Sequence, residues 1–427
     1  MRLFDTYSKS LVELPPPGDG PIRMYFCGPT VYARAHVGNA RPFVIGMWLR
    51  SWLHEQGYDV TFVHNITDVN DKIYEAAPGA SAALAAQATA WYLEDTGDLG
   101  LGMPDYLPKV TDHIPAIVSF IEQLVERGFA YAVDGDVYFR VARFPEYGRL
   151  SGQRPDQVEE QEPNPLKEDP RDFALWKANK PGEDTAWDSP WGRGRPGWHI
   201  ECSAMAEELL GPSFEIHGGG LDLVFPHHEN ELAQSRALGH PFAQIWAHNG
   251  LLQFTGEKMS KSVGNIATIR EALEEWGRET LLVFFLGGHW RKPIDFSEET
   301  LAQAKAQVRS FQASFMSDFG RRENSAPWEA FVAALEDDFN TPEALAVMHR
   351  WRSDGQRELL ERSLKIFGLG TLADVAVPPN ILELGTSRKH ARDQKDFAEA
   401  DRLRDELAAC GWEMRDRPDG TYDLVRL

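Results

Sequence analysis

The stretches RMYFC (residues 23–27), FVIGMWLRSWLHEQ (43–56) and VTFV (60–63) decide the fold. The first predicts a short buried strand, and the second continues a helical period of large apolar residues that begins near Asn39. Gly57 is a typical helix stop, and the third stretch predicts another strand. A strand, a helix and a strand in this order are typical of a parallel α/β sheet.

The pattern changes along the rest of the chain. Residues 113–127 predict an amphipathic helix, and residues 131–140 predict a hairpin around Asp134-Gly135. Residues 143–197 are rich in Pro, Gly, Asp and Trp, which predicts long functional loops. Helix–strand alternation is expected to resume from Cys202 to about Phe285.

Strand signals become rare beyond Glu298, so this part of the chain is predicted to be a helical domain. The helices are expected at 298–319, 326–336, 342–353 and 355–367. A Pro-bearing break at 377–379 precedes a small final segment. That segment is predicted to be a hairpin over 412–426 after a helix with one face formed by Phe397, Ala400, Leu403 and Leu407.

Composition indicates a soluble multidomain protein. The chain has 427 residues, a length that predicts about two to four domains, with 42% hydrophobic and 26% charged residues. The formal net charge of -21 disfavours sequence-independent coating of nucleic acid or anionic membrane. Three cysteines at long spacings cannot form a disulfide framework, and no apolar run is long enough to span a membrane. We therefore expect a cytoplasmic protein.

Two motifs resemble known sites but fail on inspection. GRGRPG at 192–197 matches the dinucleotide-binding pattern, but no strand is predicted before it and Pro196 stands where the helix should begin. His228-Glu229 opens the zinc-protease motif, but the second histidine would have to be at position 232, which is Leu232. Neither reaction class is therefore expected.

A different pairing of the same residues suits a metal ion. His227 and Glu231 are four residues apart, which places imidazole and carboxylate on one helix face. Together with Cys27 and Cys202 they form a Cys-Cys-His-Glu set that is suitable for zinc. Residue chemistry alone leaves another interpretation open, since buried cysteines are often small hydrophobes and a His/Glu pair is often a solvated face.

Two further motifs suit phosphate binding. His36-Val37-Gly38-Asn39 lies at a strand-to-helix turn, where free backbone N–H groups can bind phosphate. Lys258-Met259-Ser260-Lys261-Ser262 follows an apolar stretch, and its ammonium groups could close over a polyphosphate. A solvated basic loop is the alternative for the lysine pair alone, but both motifs in this order point to a nucleotide.

At these two motifs the sequence resembles the class I aminoacyl-tRNA synthetases, with His36–Asn39 as the HIGH signature and 258–262 as the KMSKS signature. Other stretches narrow the resemblance to the cysteinyl-tRNA synthetase family. They are YFCGPTVY (25–32), NITD (65–68) with Asp71-Lys72, PGWHIECS (196–203), IHGGG (216–220), FPHHENE (225–231) and DFNTP (338–342). The resemblance extends along nearly the whole chain; Asn70, where the family commonly has Asp, and residues 154–167 depart from it.

The resemblance implies an α/β fold whose main part is a Rossmann-like, parallel-sheet catalytic domain over 1–297. This domain would contain a connective insertion at about 100–195 and the KMSKS loop region at 250–297. An α-helical bundle domain at 298–375 and a small C-terminal α+β anticodon-binding domain at 380–427 would follow.

The resemblance also implies roles for individual residues. The zinc ligands would be Cys27, Cys202, His227 and Glu231. Catalytic residues that also bind ATP would be His36, Asn39, Lys258 and Lys261, and Gly38 would contact ATP as well. Residues around the substrate amino acid would be Gly28, Thr30, Thr67, Trp198 and His217.

The implied reaction has two steps. L-Cysteine reacts with ATP to give cysteinyl-adenylate and pyrophosphate, and cysteine is then transferred to the 3′ end of its tRNA. One zinc ion would select the cysteine thiol over the hydroxyl of serine, because it binds and deprotonates a thiol far more readily. Mg²⁺ would accompany ATP, and the resemblance favours a monomer.

Two alternatives remain at this stage. A mycothiol cysteine ligase would share the adenylation half but transfer cysteine to an aminosugar. The segment KDFAEADR at 395–402 resembles the synthetase's anticodon-binding tail, which the ligase lacks, and therefore favours tRNA. A catalytically inactive, tRNA-binding paralogue is disfavoured by the intact signatures at 36–39 and 258–262.

Overall fold

The computed structural model describes residues 1–154, 163–254, 267–316, 325–374, 377–417 and 421–426. These residues form two compact units. The first contains Met1–Glu275, Trp290–Ile294 and Asp337–Phe339, and the second contains Trp276–His289, Asp295–Glu336 and Asn340–Leu427.

Strands and helices alternate in the first part of the chain and helices dominate the second. The strands are β1 (Arg2–Asp5), β2 (Ser10–Glu13), β3 (Ile22–Phe26), β4 (Val60–His64), β5 (Ala130–Val133), β6 (Asp136–Phe139), β7 (Phe173–Ala178), β8 (Gly194–Pro196), β9 (Ser213–Gly220), β10 (Phe242–Asn249), β11 (Leu252–Gln253), β12 (Ile294–Asp295), β13 (Trp412–Asp416) and β14 (Tyr422–Arg426). The helices are α1 (Val37–Glu55), α2 (Asp71–Ala76), α3 (Ser81–Asp98), α4 (Ile114–Glu126), α5 (Trp198–Leu210), α6 (Glu229–Ala237), α7 (Ile269–Trp276), α8 (Arg278–Gly287), α9 (Glu298–Met316), α10 (Trp328–Glu336), α11 (Thr341–Ser353), α12 (Arg357–Ile366), α13 (Pro379–Asp393) and α14 (Phe397–Ala409).

A parallel sheet with the order β10-β9-β3-β4 forms the centre of the first unit. The strand–helix–strand unit predicted from the sequence is β3-α1-β4, so that prediction is confirmed, as is the α/β fold class. Trp48, Trp52 and Leu53 of α1 are completely buried, which explains why the apolar period runs the length of the helix. The carboxyl ends of β3, β4 and β9 meet at one edge, where ligands bind in open α/β sheets.

A second, antiparallel sheet has the order β5-β6-β7-β8. The predicted hairpin is confirmed as β5-β6, with Asp134 and Gly135 both at positive φ in its turn. The expectation that residues 143–197 are loops is wrong in part, because β7 and β8 lie within them. These strands are stabilised by contacts remote in sequence, such as the ring of Phe173 stacked 4.9 Å from that of Phe139.

The predicted helices of the second unit are confirmed as α9 to α12, with ends that differ by up to two residues where the ends are described. The C-terminal hairpin is confirmed as β13-β14. Helix α13 was not predicted, because only two of its apolar side chains, Ile381 and Ala391, are buried. Phe397 does not join the buried face of α14: it is 64% exposed, since it occupies the first position of the helix.

No helix in the described parts of the chain is long and apolar enough to cross a bilayer.

The buried histidine of β4 gives a test of the sheet's packing. His64 has its Nδ1 3.0 Å from the carbonyl of Phe26 and its Nε2 2.7 Å from the hydroxyl of Tyr92, and burial lowers its pKa from 6.5 to about 4. Below pH 6.5 His64 is protonated in the unfolded chain but stays neutral in the folded chain. The free energy of unfolding therefore falls as the pH falls towards 4. We expect His64→Gln to reduce the loss of unfolding free energy between pH 7 and pH 5 by about 2 kcal/mol. Urea unfolding at pH 7 and pH 5 measures this loss in the unaltered protein and in the variant. An equal loss of unfolding free energy in the two proteins would contradict the prediction.

Candidate functional site

The residues of the candidate site come from three places in the first unit that meet at the carboxyl edge of the parallel sheet. Cys27 follows β3 directly, and Cys202 lies in the second turn of α5. His227 and Glu231 lie where the chain turns into α6. Segments far apart in sequence thus supply one group of side chains.

The structure brings Cys27, Cys202, His227 and Glu231 together, with all their ligand atoms within 4.8 Å of one another. The two Sγ atoms are 3.7 Å apart, and Oε1 of Glu231 lies 3.7 Å from Sγ of Cys27 and 3.0 Å from Nε2 of His227. Ligands at zinc bond lengths on a tetrahedron are separated by roughly 3.3–3.8 Å. The two distances that involve sulfur fall in this range and the 3.0 Å oxygen–nitrogen distance is shorter, so the group could hold a metal ion.

The protonation of these groups also fits a metal ion. Burial raises the pKa of both thiols and of the Glu231 carboxyl and lowers that of His227 well below its usual value. The imidazole is therefore neutral and able to act as a ligand. Among the described residues, only histidine nitrogens lie within ion-pair distance of the Glu231 carboxylate. Two thiols and a carboxyl buried together can ionise only beside a cation.

Three more histidines lie against the same group. Nδ1 of His199 is 3.0 Å from Nδ1 of His227. Nε2 of His217 is 3.1 Å from Oε2 of Glu231, and Nε2 of His228 is 3.3 Å from Sγ of Cys27. Cys27, His217, His228 and Glu231 therefore form a second possible ligand set. The first set has two sulfur ligands and the second has one, which favours the first for zinc. Sequence reasoning missed His228, because it was considered only as part of a protease motif.

The residues expected around a substrate amino acid line the same edge. Thr30 and Thr67 face each other in a parallel bridge between the chain segments after β3 and β4. The ring of Trp198 lies 4.3 Å from that of His227. The backbone N–H of Gly28 donates to Oδ1 of Asn65 at 2.9 Å. Trp198, His217 and Gly28 thus lie beside the candidate ligands, and Thr67 contacts Asn65, whose Oδ1 is 3.8 Å from Sγ of Cys202. Asn65 was not singled out from the sequence.

The start of α1 provides the candidate phosphate-binding group. His36 is its N-cap, and Oδ1 of Asn39 accepts from the backbone N–H of His36 at 3.2 Å. Burial lowers the pKa of His36, so its half-buried ring is neutral. Backbone hydrogen bonds from Val37 to Ala267 and from Ile269 to Ala35 bring the segment at 267–269 to this turn. Lys258 and Lys261 lie outside the described residues.

The structure explains why Asn can stand at position 70, where the family commonly has Asp. Asn70 is the N-cap of α2, and its Oδ1 accepts from the backbone N–H of Lys72 at 3.1 Å. Asn and Asp are equally good N-caps, so either residue satisfies this helix end.

Three family models match successive parts of the chain. Residues 14–306 match the family described as "tRNA synthetases class I (C) catalytic domain", residues 330–369 match the "DALR domain", and residues 376–422 match the "Cysteinyl-tRNA ligase anticodon binding domain".

Whole-length relatives point the same way. The chain is 42% identical to the cysteine–tRNA ligase of Pseudothermotoga lettingae, with 100% of both chains covered. It is 45% identical to that of Alkalilimnicola ehrlichii, with 99% of both covered.

The fold is shared with more distant solved structures. Methionyl-tRNA synthetase of Mycobacterium tuberculosis bound by methionyl-adenylate superposes with a TM-score of 0.60 at 16% identity, covering 82% of this chain and 88% of the other. A putative arginyl-tRNA synthetase from Campylobacter jejuni gives 0.55 at 11% identity, covering 85% and 94%. Since the family match covers most of the chain and the relatives match along its whole length, the chain belongs to the cysteinyl-tRNA synthetase (cysteine–tRNA ligase) family of class I tRNA synthetase enzymes.

Proposed function

We propose that the enzyme activates L-cysteine with ATP to cysteinyl-adenylate and pyrophosphate, and then transfers cysteine to the 3′ end of its cognate tRNA. The observation that carries this proposal is the buried group of Cys27, Cys202, His227 and Glu231 at the same sheet edge as Thr67 and the start of α1. The full-length relatives named cysteine–tRNA ligase support it.

Cys27, Cys202, His227 and Glu231 would hold one zinc ion, which would supply binding of the substrate as a thiolate. Serine differs from cysteine by one atom, and a pocket that measures shape alone discriminates weakly between such substrates. The ring of Trp198 lies against that of His227, and the hydroxyl of Thr67 contacts Glu201, the residue before Cys202, so both would orient the rest of the amino acid.

The activation step is in-line attack of the cysteine carboxylate on the α-phosphorus of ATP, with pyrophosphate as the leaving group. It requires positioning and neutralisation of charge more than acid–base groups. The N–H groups at the start of α1, with His36, Gly38 and Asn39, would bind phosphate. Lys258 and Lys261 would stabilise the departing pyrophosphate, and Mg²⁺ would accompany ATP.

The domains that follow the catalytic domain would bind tRNA. We propose a catalytic domain over 1–297 with an insertion at about 100–195, a helical bundle domain over 298–375 and an anticodon-binding domain over 380–427. The match of residues 376–422 to an anticodon-binding family supports tRNA as the acceptor rather than an aminosugar.

The proposed function is tested by offering ATP and labelled cysteine with each acceptor in turn. We expect cysteine to be attached to tRNA and not to the aminosugar substrate of the mycothiol ligase. Transfer to the aminosugar would replace the proposal by that ligase, and absence of cysteine-dependent ATP–pyrophosphate exchange would replace it by an inactive paralogue.

Lys261→Ala should slow adenylation by about tenfold to a hundredfold, because the charge that it neutralises develops on the leaving pyrophosphate. Cysteine binding should remain nearly unchanged, since the lysine is not proposed to touch the amino acid. Single-turnover adenylate formation and cysteine binding measure the two effects. Weakened cysteine binding with an unchanged adenylation rate would contradict the role.

Removal of residues 380–427 should raise the tRNA concentration needed for charging by at least about tenfold, equivalent to about 1.4 kcal/mol of binding. Adenylation should remain, because every proposed metal and ATP residue precedes position 263. The removed segment also covers apolar side chains of the remaining chain, because the cluster that contains Leu407, Trp412 and Leu424 packs against Met316 and Val377. Both activities and thermal stability are therefore measured together: a parallel loss of all three would mean that the segment only covers this surface.

A further inference from the structure

Asn65 lies between the candidate metal ligands and the candidate amino-acid site and is completely buried. It follows β4, and its Oδ1 accepts from the backbone N–H of Gly28, the residue next to Cys27, at 2.9 Å. The same oxygen lies 3.8 Å from Sγ of Cys202. Its amide group therefore contacts both cysteine-bearing segments.

The other end of the amide points to the substrate side. Nδ2 of Asn65 donates to Oγ1 of Thr67 at 3.2 Å, and this hydroxyl donates to Oε2 of Glu201 at 3.3 Å. Glu201 is 1% exposed and directly precedes Cys202 in α5. The hydrogen bonds thus run from Gly28 through Asn65 and Thr67 to Glu201, next to the second cysteine.

This chain of hydrogen bonds fixes how Thr67 presents its hydroxyl. A hydroxyl has one donor and two acceptor positions. The donor is used by Glu201 and one acceptor position by Asn65, which leaves one lone pair for a donor on the substrate. The amino group of an amino acid is such a donor.

The backbone leaves no room for this arrangement to shift. An ideal Cβ on Gly28 would lie 1.6 Å from the carbonyl oxygen of Asn65, so the two strand ends touch at this point. The backbone N–H of Thr67 donates to the carbonyl of Pro29 at 3.0 Å, and that of Val31 to the carbonyl of Thr67 at 3.1 Å. Asn65 is therefore held firmly enough to position its neighbours.

We propose that Asn65 is a positioning residue that couples the two halves of the site. Its Oδ1 holds the Cys27–Gly28 turn in the geometry that binds the metal, and its Nδ2 orients the Thr67 hydroxyl towards the amino group of cysteine. The inference rests on the proposed function and assigns the residue on which both zinc binding and cysteine binding depend.

The test compares three variants with a control. Asn65→Ala removes both contacts, Asn65→Asp keeps the acceptor for Gly28 but loses the donor to Thr67, and Thr67→Val removes the hydroxyl alone. The control Ser363→Ala removes another completely buried hydrogen bond, from Oγ to the carbonyl of Leu360 in α12. Each metal-free protein is titrated with zinc against a competing chelator. The KM values for cysteine and for ATP and the stability in urea are measured on the same preparations.

We expect Asn65→Ala to weaken zinc binding and to raise the KM for cysteine, each by about tenfold or more, with the KM for ATP changed by less than about twofold. Thr67→Val should raise only the KM for cysteine. Asn65→Asp should recover zinc binding but keep the high KM for cysteine, and it carries the test if Asn65→Ala does not fold.

Two results would overturn the inference. In the first, the Asn65 variants match Ser363→Ala in zinc binding and in the KM for cysteine. In the second, the KM values for both substrates rise together in proportion to the loss of stability. Measurements on the unaltered protein distinguish a failure of this inference from a failure of the proposed function. If the unaltered protein shows neither zinc binding nor cysteine-dependent exchange, it is the proposed function that fails.

Discussion

Cys202→Ser is expected to weaken zinc binding by more than about a hundredfold, since loss of even an outer partner of a metal ligand costs roughly 10–100-fold. A hydroxyl is a poor zinc ligand because it does not ionise near neutral pH as a metal-bound thiol does. The site would keep Cys27, His227 and Glu231, but one corner of the tetrahedron would be lost. Cysteine activation should fall with the metal, while the KM for ATP should change little.

Metal analysis after dialysis and cysteine-dependent ATP–pyrophosphate exchange measure the two effects. The matched control is Cys410→Ser, because Cys410 is exposed at the end of α14 and outside the site. The unaltered protein and the control should each contain about one zinc per chain. If the Cys202→Ser protein still contained about one zinc per chain, Cys202 would not be a zinc ligand.

Gly28→Ala is expected to reduce cysteine activation by more than about a hundredfold, because a displacement of about 1 Å in an active site can cost that much. The new Cβ would lie 1.6 Å from the carbonyl oxygen of Asn65, and backbone atoms cannot rotate out of the way as a flexible side chain does. The turn after β3 would have to move and would take Cys27 with it. Overpacking of this kind lowers the free energy of unfolding by about 1–3 kcal/mol.

The control for this change is Gly97→Ala in α3, where the new Cβ would meet no atom within 4 Å. This control should keep full exchange activity and be at least as stable as the unaltered protein, since alanine favours a helix. Zinc content, exchange and urea unfolding are compared for the two variants. Undiminished exchange by Gly28→Ala would mean that the edge of the sheet is not held as tightly as the site requires.

The sequence predicted those parts of the fold whose signal is local. The β3-α1-β4 unit has a continuous helical period between two apolar runs, and it formed as expected. Strands β7 and β8 were missed because their stability depends on pairing with β6 and with each other, over separations that a local pattern does not record. Helix α13 was missed because few of its side chains are buried, so its apolar period is weak.

The residues of the candidate site could likewise be predicted only where the sequence carries a local signal. The spacing of His227 and Glu231 and the chemistry of Cys27 and Cys202 suggested a metal set, and the fold brings these residues together. The roles of Asn65 and Glu201 could not be predicted, because a buried amide or carboxyl has no sequence pattern of its own. Their contacts arise only where the ends of β3, β4 and α5 meet.

The most direct test of the account is ATP–pyrophosphate exchange with cysteine and with serine, before and after zinc is removed and restored. The account predicts exchange with cysteine and little with serine, loss of the cysteine-dependent activity when zinc is chelated, and its return when zinc alone is added back. A zinc-free protein that activates cysteine at the full rate and still rejects serine would contradict the claim that the Cys27, Cys202, His227 and Glu231 site selects the substrate through a metal ion.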